Sequence, residues 1–96
     1  MKYKYKAGKK FEYEVRDFYK KQGYFIIMSA GSKGPIDVIC YPIDNPTKPI
    51  LNCQCKKYKD NKPNPTQEFR DLKIPGKKLW CTKKLRQVGF DIEEIL

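Results

Sequence analysis

The sequence contains no histidine among its 96 residues. Histidine is the side chain most often used as a general base and as a metal ligand near neutral pH. Catalysis by this chain would therefore depend on carboxylates, amides, lysines or thiols. Acidic residues are also few, with 11 Asp and Glu against 21 Lys and Arg, which gives a formal net charge of +10. A small protein this positive is attracted to polyanions, so the composition favours nucleic acid as the partner.

Long apolar runs are absent as well. None reaches the roughly 18 residues that a transmembrane helix needs, and "MKYKYKAGKKFEYEV" at the start has no apolar signal core. We therefore expect a cytoplasmic protein whose four cysteines stay reduced. The length suits one domain over residues 1–96, without repeats or low-complexity tracts.

The first half of the sequence predicts a helix and three strands. "KKFEYEVRDFYKKQG" places Phe11, Val15, Phe18 and Tyr19 at the spacing of one helix face, and Gly23 is a natural stop. The β-prone segments that follow are "YFIIMS", "DVICY" and "ILNCQCKKY".

The second half predicts a short helix and a hairpin. Thr66 is a good N-cap for "TQEFRDLKI", and Pro75-Gly76 would end this helix. "KKLWCTKKL" and "FDIEEI" then form a β-hairpin around "RQVG". The predicted order is therefore α-β-β-β-α-β-β.

Alternation along the third strand separates polar from apolar side chains. It sends Gln54 and Lys56 outward together, while Cys53 and Cys55 share the opposite face, where we expect them to pack under the first helix. A zinc site made by the four cysteines (Cys40, Cys53, Cys55 and Cys81) is the alternative, but the spacing lacks paired C-x₂-C knuckles.

Asp37 opens the second strand directly after a loop of small residues. If this strand neighbours the third, Asp37, Gln54 and Lys56 converge at one sheet edge. Oxygen ligands favour a hard cation such as Mg²⁺, so the cluster suggests metal-assisted phosphodiester hydrolysis. Taken singly, Asp37 is also an ordinary turn residue, and Gln54 with Lys56 an ordinary solvent-facing pair. Their joint order and spacing favour the functional interpretation.

The residues also resemble a known family. The resemblance rests on "KAGKKFEYEV", on the "SAGSK" loop within "GYFIIMSAGSKGPIDVI", on an Asp that opens a strand, and on a following strand with the x-Lys motif. In these features the chain resembles the PD-(D/E)XK nuclease superfamily, especially archaeal Holliday-junction resolvases. The resemblance covers residues 6–59. It implies an α/β restriction-endonuclease-like core with a mixed β-sheet flanked by helices.

The resemblance also implies roles for single residues. Glu12 takes the position of a catalytic glutamate, and Ser32 would contact substrate or order the site. Asp37 would be the principal ligand of Mg²⁺, for which Mn²⁺ would substitute. The main-chain carbonyl of Cys55 would join Gln54 as a ligand, with Lys56 as the catalytic lysine. Basic residues that flank these positions are expected to neutralise DNA phosphates: Lys9, Lys10, Lys33, Lys57 and Lys59.

The sequence departs from the resolvase pattern at several positions. Gln54 stands where resolvases have a glutamate, although a Q-x-K variant occurs in Mrr-like restriction nucleases. We hypothesise that Glu12 contributes the missing negative charge. Met28 and Tyr13 occupy positions where resolvases carry arginines that grip the DNA backbone.

The leading functional prediction is a Mg²⁺-dependent endodeoxyribonuclease, structure-selective for branched DNA and homodimeric, with two sites on two strands. One alternative is a catalytically inactive nucleic-acid-binding protein on the same fold, which the neutral Gln54 favours. A second alternative is an Mrr-like nuclease that acts on duplex DNA.

Overall fold

The computed structural model describes residues 2–29 and 34–96, with side chains from residue 8 of the first helix onward. In this part of the chain, helices and strands follow the predicted order. Neither helix combines the length and the apolarity that spanning a membrane requires. The elements are α1 (Lys2–Lys20), β1 (Tyr24–Met28), β2 (Val38–Pro42), β3 (Leu51–Tyr58), α2 (Gln67–Asp71), β4 (Lys77–Lys84) and β5 (Asp91–Ile95).

The strands form one mixed sheet in the order β1-β2-β3-β4-β5. β3 and β4 are parallel, whereas the other neighbouring pairs are antiparallel. Parallel neighbours need a crossover connection, and the chain between β3 and β4 contains α2. α1 packs on one face of the sheet and α2 on the other. This architecture confirms the predicted α/β core and is consistent with a restriction-endonuclease-like fold.

α1 buries one stripe of apolar side chains against the sheet. Phe11, Val15 and Tyr19 are buried, as their spacing predicts. Phe18 was predicted on the same face, but it is 43% exposed. It lies at the flank of the stripe, where its ring packs edge-on against Phe90 with centroids 5.3 Å apart. Its partner is thus the segment before β5 and not the buried core, so the prediction that Phe18 belongs to the buried face is wrong.

The ends of α1 differ in how well the sequence predicted them. The helix begins at Lys2 and so includes the basic residues that precede the segment "KKFEYEVRDFYKKQG", from which it was predicted. Apart from one glycine, these residues include no helix breaker. At the other end, Gly23 adopts a φ of 92° as predicted for a stop. A Cβ there would lie 2.3 Å from Oδ2 of Asp44, an exposed side chain that can move aside, so the positive φ and not packing is what favours glycine.

The face of β3 that carries its cysteines lies under α1, as predicted. Leu51 and Cys53 are buried in the main core with Val38 of β2, and the half-buried Cys55 packs against this cluster. The alternation of β3 therefore places Gln54 and Lys56 on the opposite face, toward α2.

α2 is short but firmly anchored to that opposite face. Oγ1 of Thr66 accepts a hydrogen bond from the backbone N–H of Phe69 at 3.1 Å, which confirms the predicted N-cap. Phe69 is fully buried in a second apolar cluster with Trp80 and Ile95. The helix ends at Asp71, before the Pro75-Gly76 stop that the sequence predicts.

The early end of α2 has a visible cause. Leu72 takes an extended conformation with ψ 129°, and its N–H bonds to the carbonyl of Phe69. The ammonium of Lys78 on β4 then donates to the carbonyls of Arg70 and Leu72. These contacts satisfy carbonyls that a longer helix would have paired internally.

Candidate active site

Asp37 is held at the start of β2 by hydrogen bonds to both neighbours of Gln54. Its backbone N–H donates to the Cys53 carbonyl at 2.8 Å. Its Oδ2 accepts from the backbone N–H of Cys55, also at 2.8 Å. The side chain thus takes the place of a main-chain acceptor in the β2–β3 ladder. β2 and β3 are neighbours, which meets the condition on which the predicted cluster depended, and Asp37 lies beside the centre of β3.

Burial sets the electrostatics of Asp37. It raises the pKa of this half-buried carboxyl group, while the N–H of Cys55 and the charges of Lys56 and Lys9 act in the opposite direction. Lys56 lies on β3, the strand whose main chain Asp37 contacts, and its charge lowers the pKa of the Asp37 carboxyl group. The predicted catalytic pairing of Asp37 with Lys56 stays a prediction.

Glu12 approaches Asp37 from α1. Burial raises the pKa of Glu12, and repulsion by the Asp37 carboxylate raises it further. The ammonium of Lys9, one turn earlier on the helix, lies 3.3 Å from Oε1 of Glu12 and counteracts part of this shift. Two partly desolvated carboxylates with mutual repulsion form a site whose charge a cation would neutralise.

Gln54 is buried, so the prediction that it looks outward is wrong. It is 8% exposed, whereas Lys56 on the same face is exposed. Within residues 2–29 and 34–96, its Oε1 has no hydrogen-bond partner. Alternation placed Gln54 on the correct face, but α2 and the segment before it cover that face. The opposing residue of β4 is Trp80, whose indole N–H donates to the carbonyl of Pro63 at 3.0 Å.

A small cavity of about 150 Å³ lies on the α2 side of β3. Gln54 and Lys56 line it from the strand, and Glu68 lines it from the first turn of α2. Glu68 was not among the predicted site residues. The sequence shows an acidic residue on a predicted helix, 12 positions after Lys56. That spacing does not tell how far the helix lies from the sheet, so it could not place Glu68 beside Gln54. The other lining residues are Gly34, Pro35 and Thr66.

Comparison with known families identifies the domain. Residues 5–74 match the model of the Mrr_cat family, described as a restriction endonuclease. The chain belongs to this family. The matched region runs from within α1 past the end of α2 and includes Glu12, Asp37, Gln54, Lys56 and Glu68. The Mrr-type domain is therefore a nuclease domain of the restriction-endonuclease, PD-(D/E)XK type. No curated protein and no solved structure matches the chain significantly.

PD-(D/E)XK nucleases typically use Mg²⁺, and the ligands of this Mrr-type domain fit such a cation only in part. No three His, Cys, Asp or Glu side chains of the described residues are grouped closely enough to hold a metal ion. Two oxygen atoms predicted as ligands could complete that set: the amide oxygen of Gln54, which has no partner among the described residues, and the Cys55 carbonyl. In an extended strand the N–H and C=O of one residue point the same way, so this carbonyl faces the Asp37 side. A mixed set of carboxylate, amide and carbonyl oxygens suits Mg²⁺ or Mn²⁺.

The cysteines of the Mrr-type domain are core residues, as predicted. Cys40, Cys53 and Cys81 are fully buried under α1. Hydrogen bonding to Cys40 and Cys81, together with burial, raises the pKa of Cys53. The hydrogen bond to Cys81 and burial likewise raise the pKa of Cys55. Within the described part of the chain the four thiols do not form a metal-binding group, so the zinc alternative is wrong.

The lysines predicted to bind DNA occupy different environments. Lys9 is ion-paired with Glu12 beside the candidate site, and Lys10 is exposed on α1. Lys57 is half-buried near the end of β3, and Lys59 just beyond the strand is exposed. Ser32 and Lys33 lie outside the described residues, so their predicted roles stay predictions.

Proposed function

We propose that this Mrr-type domain is a divalent-cation-dependent endonuclease that hydrolyses DNA phosphodiester bonds at a site around Asp37, at the start of β2. One observation carries the proposal. Asp37 is fixed by hydrogen bonds to Cys53 and Cys55. The charge of Lys56 lowers the pKa of Asp37, and the Asp37 carboxylate raises the pKa of Glu12. Carboxylates and a lysine in this combination are what metal-assisted phosphate hydrolysis needs.

Each residue has a definite part in the proposed reaction. Hydrolysis adds water across one P–O ester bond and leaves one phosphate end and one hydroxyl end. Asp37 and the Cys55 carbonyl would hold the cation, and Glu12 would add negative charge directly or through a water molecule. Lys56 orients the attacking water and offsets charge that develops on the phosphoryl oxygens. When bound, Mg²⁺ supplies Lewis acidity and lowers the pKa of the attacking water.

The proposed substrate is DNA, as the +10 charge and the nuclease family both favour. We propose branched DNA as the preferred form, because the "SAGSK" loop and "GKKFE" segment resemble archaeal Holliday-junction resolvases. A homodimer would place two sites on two strands of a junction. The match to a restriction endonuclease family supports a second candidate, cleavage of ordinary duplex DNA.

Cleavage assays separate these candidates. The protein is incubated with labelled four-way junction, flap, duplex and single-stranded DNA in Mg²⁺, Mn²⁺ or EDTA. We expect cleavage with either cation, none in EDTA, and strong loss in Lys56→Ala. Lys20→Ala removes an equivalent exposed charge two helical turns beyond Glu12 and should cut like the wild type.

The outcome of the same assay decides between the alternatives. Preferential cutting of junctions supports the resolvase-like activity, and equal cutting of linear duplex supports the Mrr-like one. DNA binding with a steep salt dependence but no cleavage in either cation would refute the nuclease proposal and support the inactive binding protein. Light scattering of the purified protein tests the proposed homodimer.

A further inference from the structure

The amide oxygen of Gln54 is a buried acceptor whose partner is missing from the described part of the chain. The residue is 8% exposed and lines the cavity on the α2 side of β3. Leaving a buried carbonyl unpaired costs roughly 1–3 kcal/mol. Such groups call for an explanation, and an ion or ligand that supplies the missing contact is one of the common ones.

Glu68 brings a carboxylate to the same cavity. The described residues provide it with neither an ion pair nor a hydrogen bond, whereas the other carboxylate of α2, Asp71, accepts from Gln67 at 2.7 Å. The backbone around Glu68 is nevertheless well fixed. Thr66 caps the helix two residues earlier, and Phe69 is fully buried directly after it. The exposed side chain of Glu68 thus extends from a fixed backbone position on the rim of the cavity that Gln54 lines, and its carboxylate is available for a ligand.

The sheet separates this carboxylate from Glu12. Cys53 and Cys55 face α1, so Gln54 between them faces the opposite side, toward α2. Glu12 reaches Asp37 from α1, whereas Glu68 reaches the cavity from α2. Only Glu68 lines the same cavity as the neutral amide that replaces the expected glutamate.

We propose that Glu68 supplies the carboxylate that the third strand lacks, so that Glu68 and the Gln54 oxygen bind the divalent cation from the α2 side while Asp37 binds it from β2. This inference rests on the proposed function, because it assigns a further ligand to the same cation. Two contacts bring Asp37 to the edge of this cavity: Pro35, two residues before it, lines the cavity, and Asp37 is hydrogen-bonded to both main-chain neighbours of Gln54.

Mn²⁺ binding by the full chain tests the assignment without relying on cleavage. Free Mn²⁺ is followed by electron paramagnetic resonance during titration of wild type, Glu68→Gln, Asp37→Asn and Asp71→Asn. We expect Glu68→Gln to weaken binding about tenfold or more. Asp71→Asn removes the same charge from the same helix and keeps an acceptor for Gln67, so its affinity should equal that of the wild type.

A double variant sharpens the test. Gln54→Glu places a carboxylate directly on β3, so Gln54→Glu combined with Glu68→Gln should recover most of the lost affinity. Thermal melts in EDTA establish that each variant is folded. Recovery supports a direct ligand role, because a purely structural effect of Glu68 would not be rescued from another element.

The outcomes separate the two proposals. If wild type binds Mn²⁺ and Asp37→Asn abolishes binding while Glu68→Gln binds like Asp71→Asn, the assignment of Glu68 is overturned and the proposed nuclease stands. Loss in Glu68→Gln without rescue by Gln54→Glu in a folded protein also overturns it. If wild type fails to bind Mn²⁺ at all, the metal-dependent function itself is wrong.

Discussion

Replacing Gln54 by leucine should stabilise the metal-free protein while destroying its function. The amide is 8% exposed, and its Oε1 has no partner among the described residues. An unpaired buried carbonyl costs about 1–3 kcal/mol, and leucine removes it while keeping a similar shape. A domain of this size shifts its melting temperature by about 4–8 °C per kcal/mol. The expected increase is therefore between about 4 and 24 °C.

Thermal unfolding followed by circular dichroism in EDTA measures this gain. Thr82→Val is the matched control, because Thr82 is 1% exposed and its Oγ1 is likewise unpaired in the described structure. Both variants should melt higher than the wild type. Thr82 does not line the cavity, so Thr82→Val should retain cleavage, whereas Gln54→Leu should lose it. Added Mn²⁺ should raise the melting temperature of the wild type and of Thr82→Val only.

A lower or unchanged melting temperature for Gln54→Leu, with the expected rise for Thr82→Val, would refute the reasoning. It would mean that the Gln54 oxygen already has a partner in the metal-free protein. Full cleavage by a folded Gln54→Leu would show that this amide has no part in cation binding.

Three further perturbations test the surroundings of the site. Burial raises the pKa of Asp37 above its ordinary 3.8, so the folded state holds the proton more tightly and loses stability as the pH rises through this raised value. Metal-free Asp37→Asn should therefore melt at a higher temperature than the wild type at neutral pH, but not below about pH 3.8. The melting temperature of the exposed control Asp60→Asn should change little. Equal melting temperatures of Asp37→Asn and wild type at neutral pH would contradict this reasoning. Lys56→Ala should lower single-turnover cleavage by about 10² to 10³-fold with little change in melting temperature, and undiminished cleavage would exclude Lys56 from the chemistry. Phe69→Ala should lower the free energy of unfolding in urea by about 3–5 kcal/mol, because this side chain is fully buried. Phe25 is 56% exposed, so Phe25→Ala should lower it far less. Similar losses in the two variants would mean that Phe69 does not anchor α2.

Local sequence patterns predicted most of the framework. Helical spacing identified Phe11, Val15 and Tyr19, and strand alternation placed Cys53 under α1 and Gln54 on the other face. Capping chemistry located Thr66 at the start of α2. These predictions succeeded because each depends on neighbours within a few residues, where backbone geometry alone sets the direction of a side chain.

Predictions that depended on what packs over a surface were less accurate. Phe18 has the spacing of the buried stripe, but it is 43% exposed and packs on Phe90, outside the main buried cluster. The basic residues before Lys9 were not predicted as part of α1, because the apolar helical spacing begins only at Phe11. Periodicity corrects neither error, because it does not report which segments pack against a helix face.

The sequence by itself determined a polycationic chain with an α-β-β-β-α-β-β order and a β2–β3 unit that carries Asp37 and Lys56. Tertiary structure alone decided that Gln54 is buried and that Glu68 lines the cavity beside it. The physical reason is the parallel pairing of β3 and β4, which requires a crossover and lays α2 across the far face of the sheet. That contact joins residues distant in sequence, and no local pattern encodes its distance.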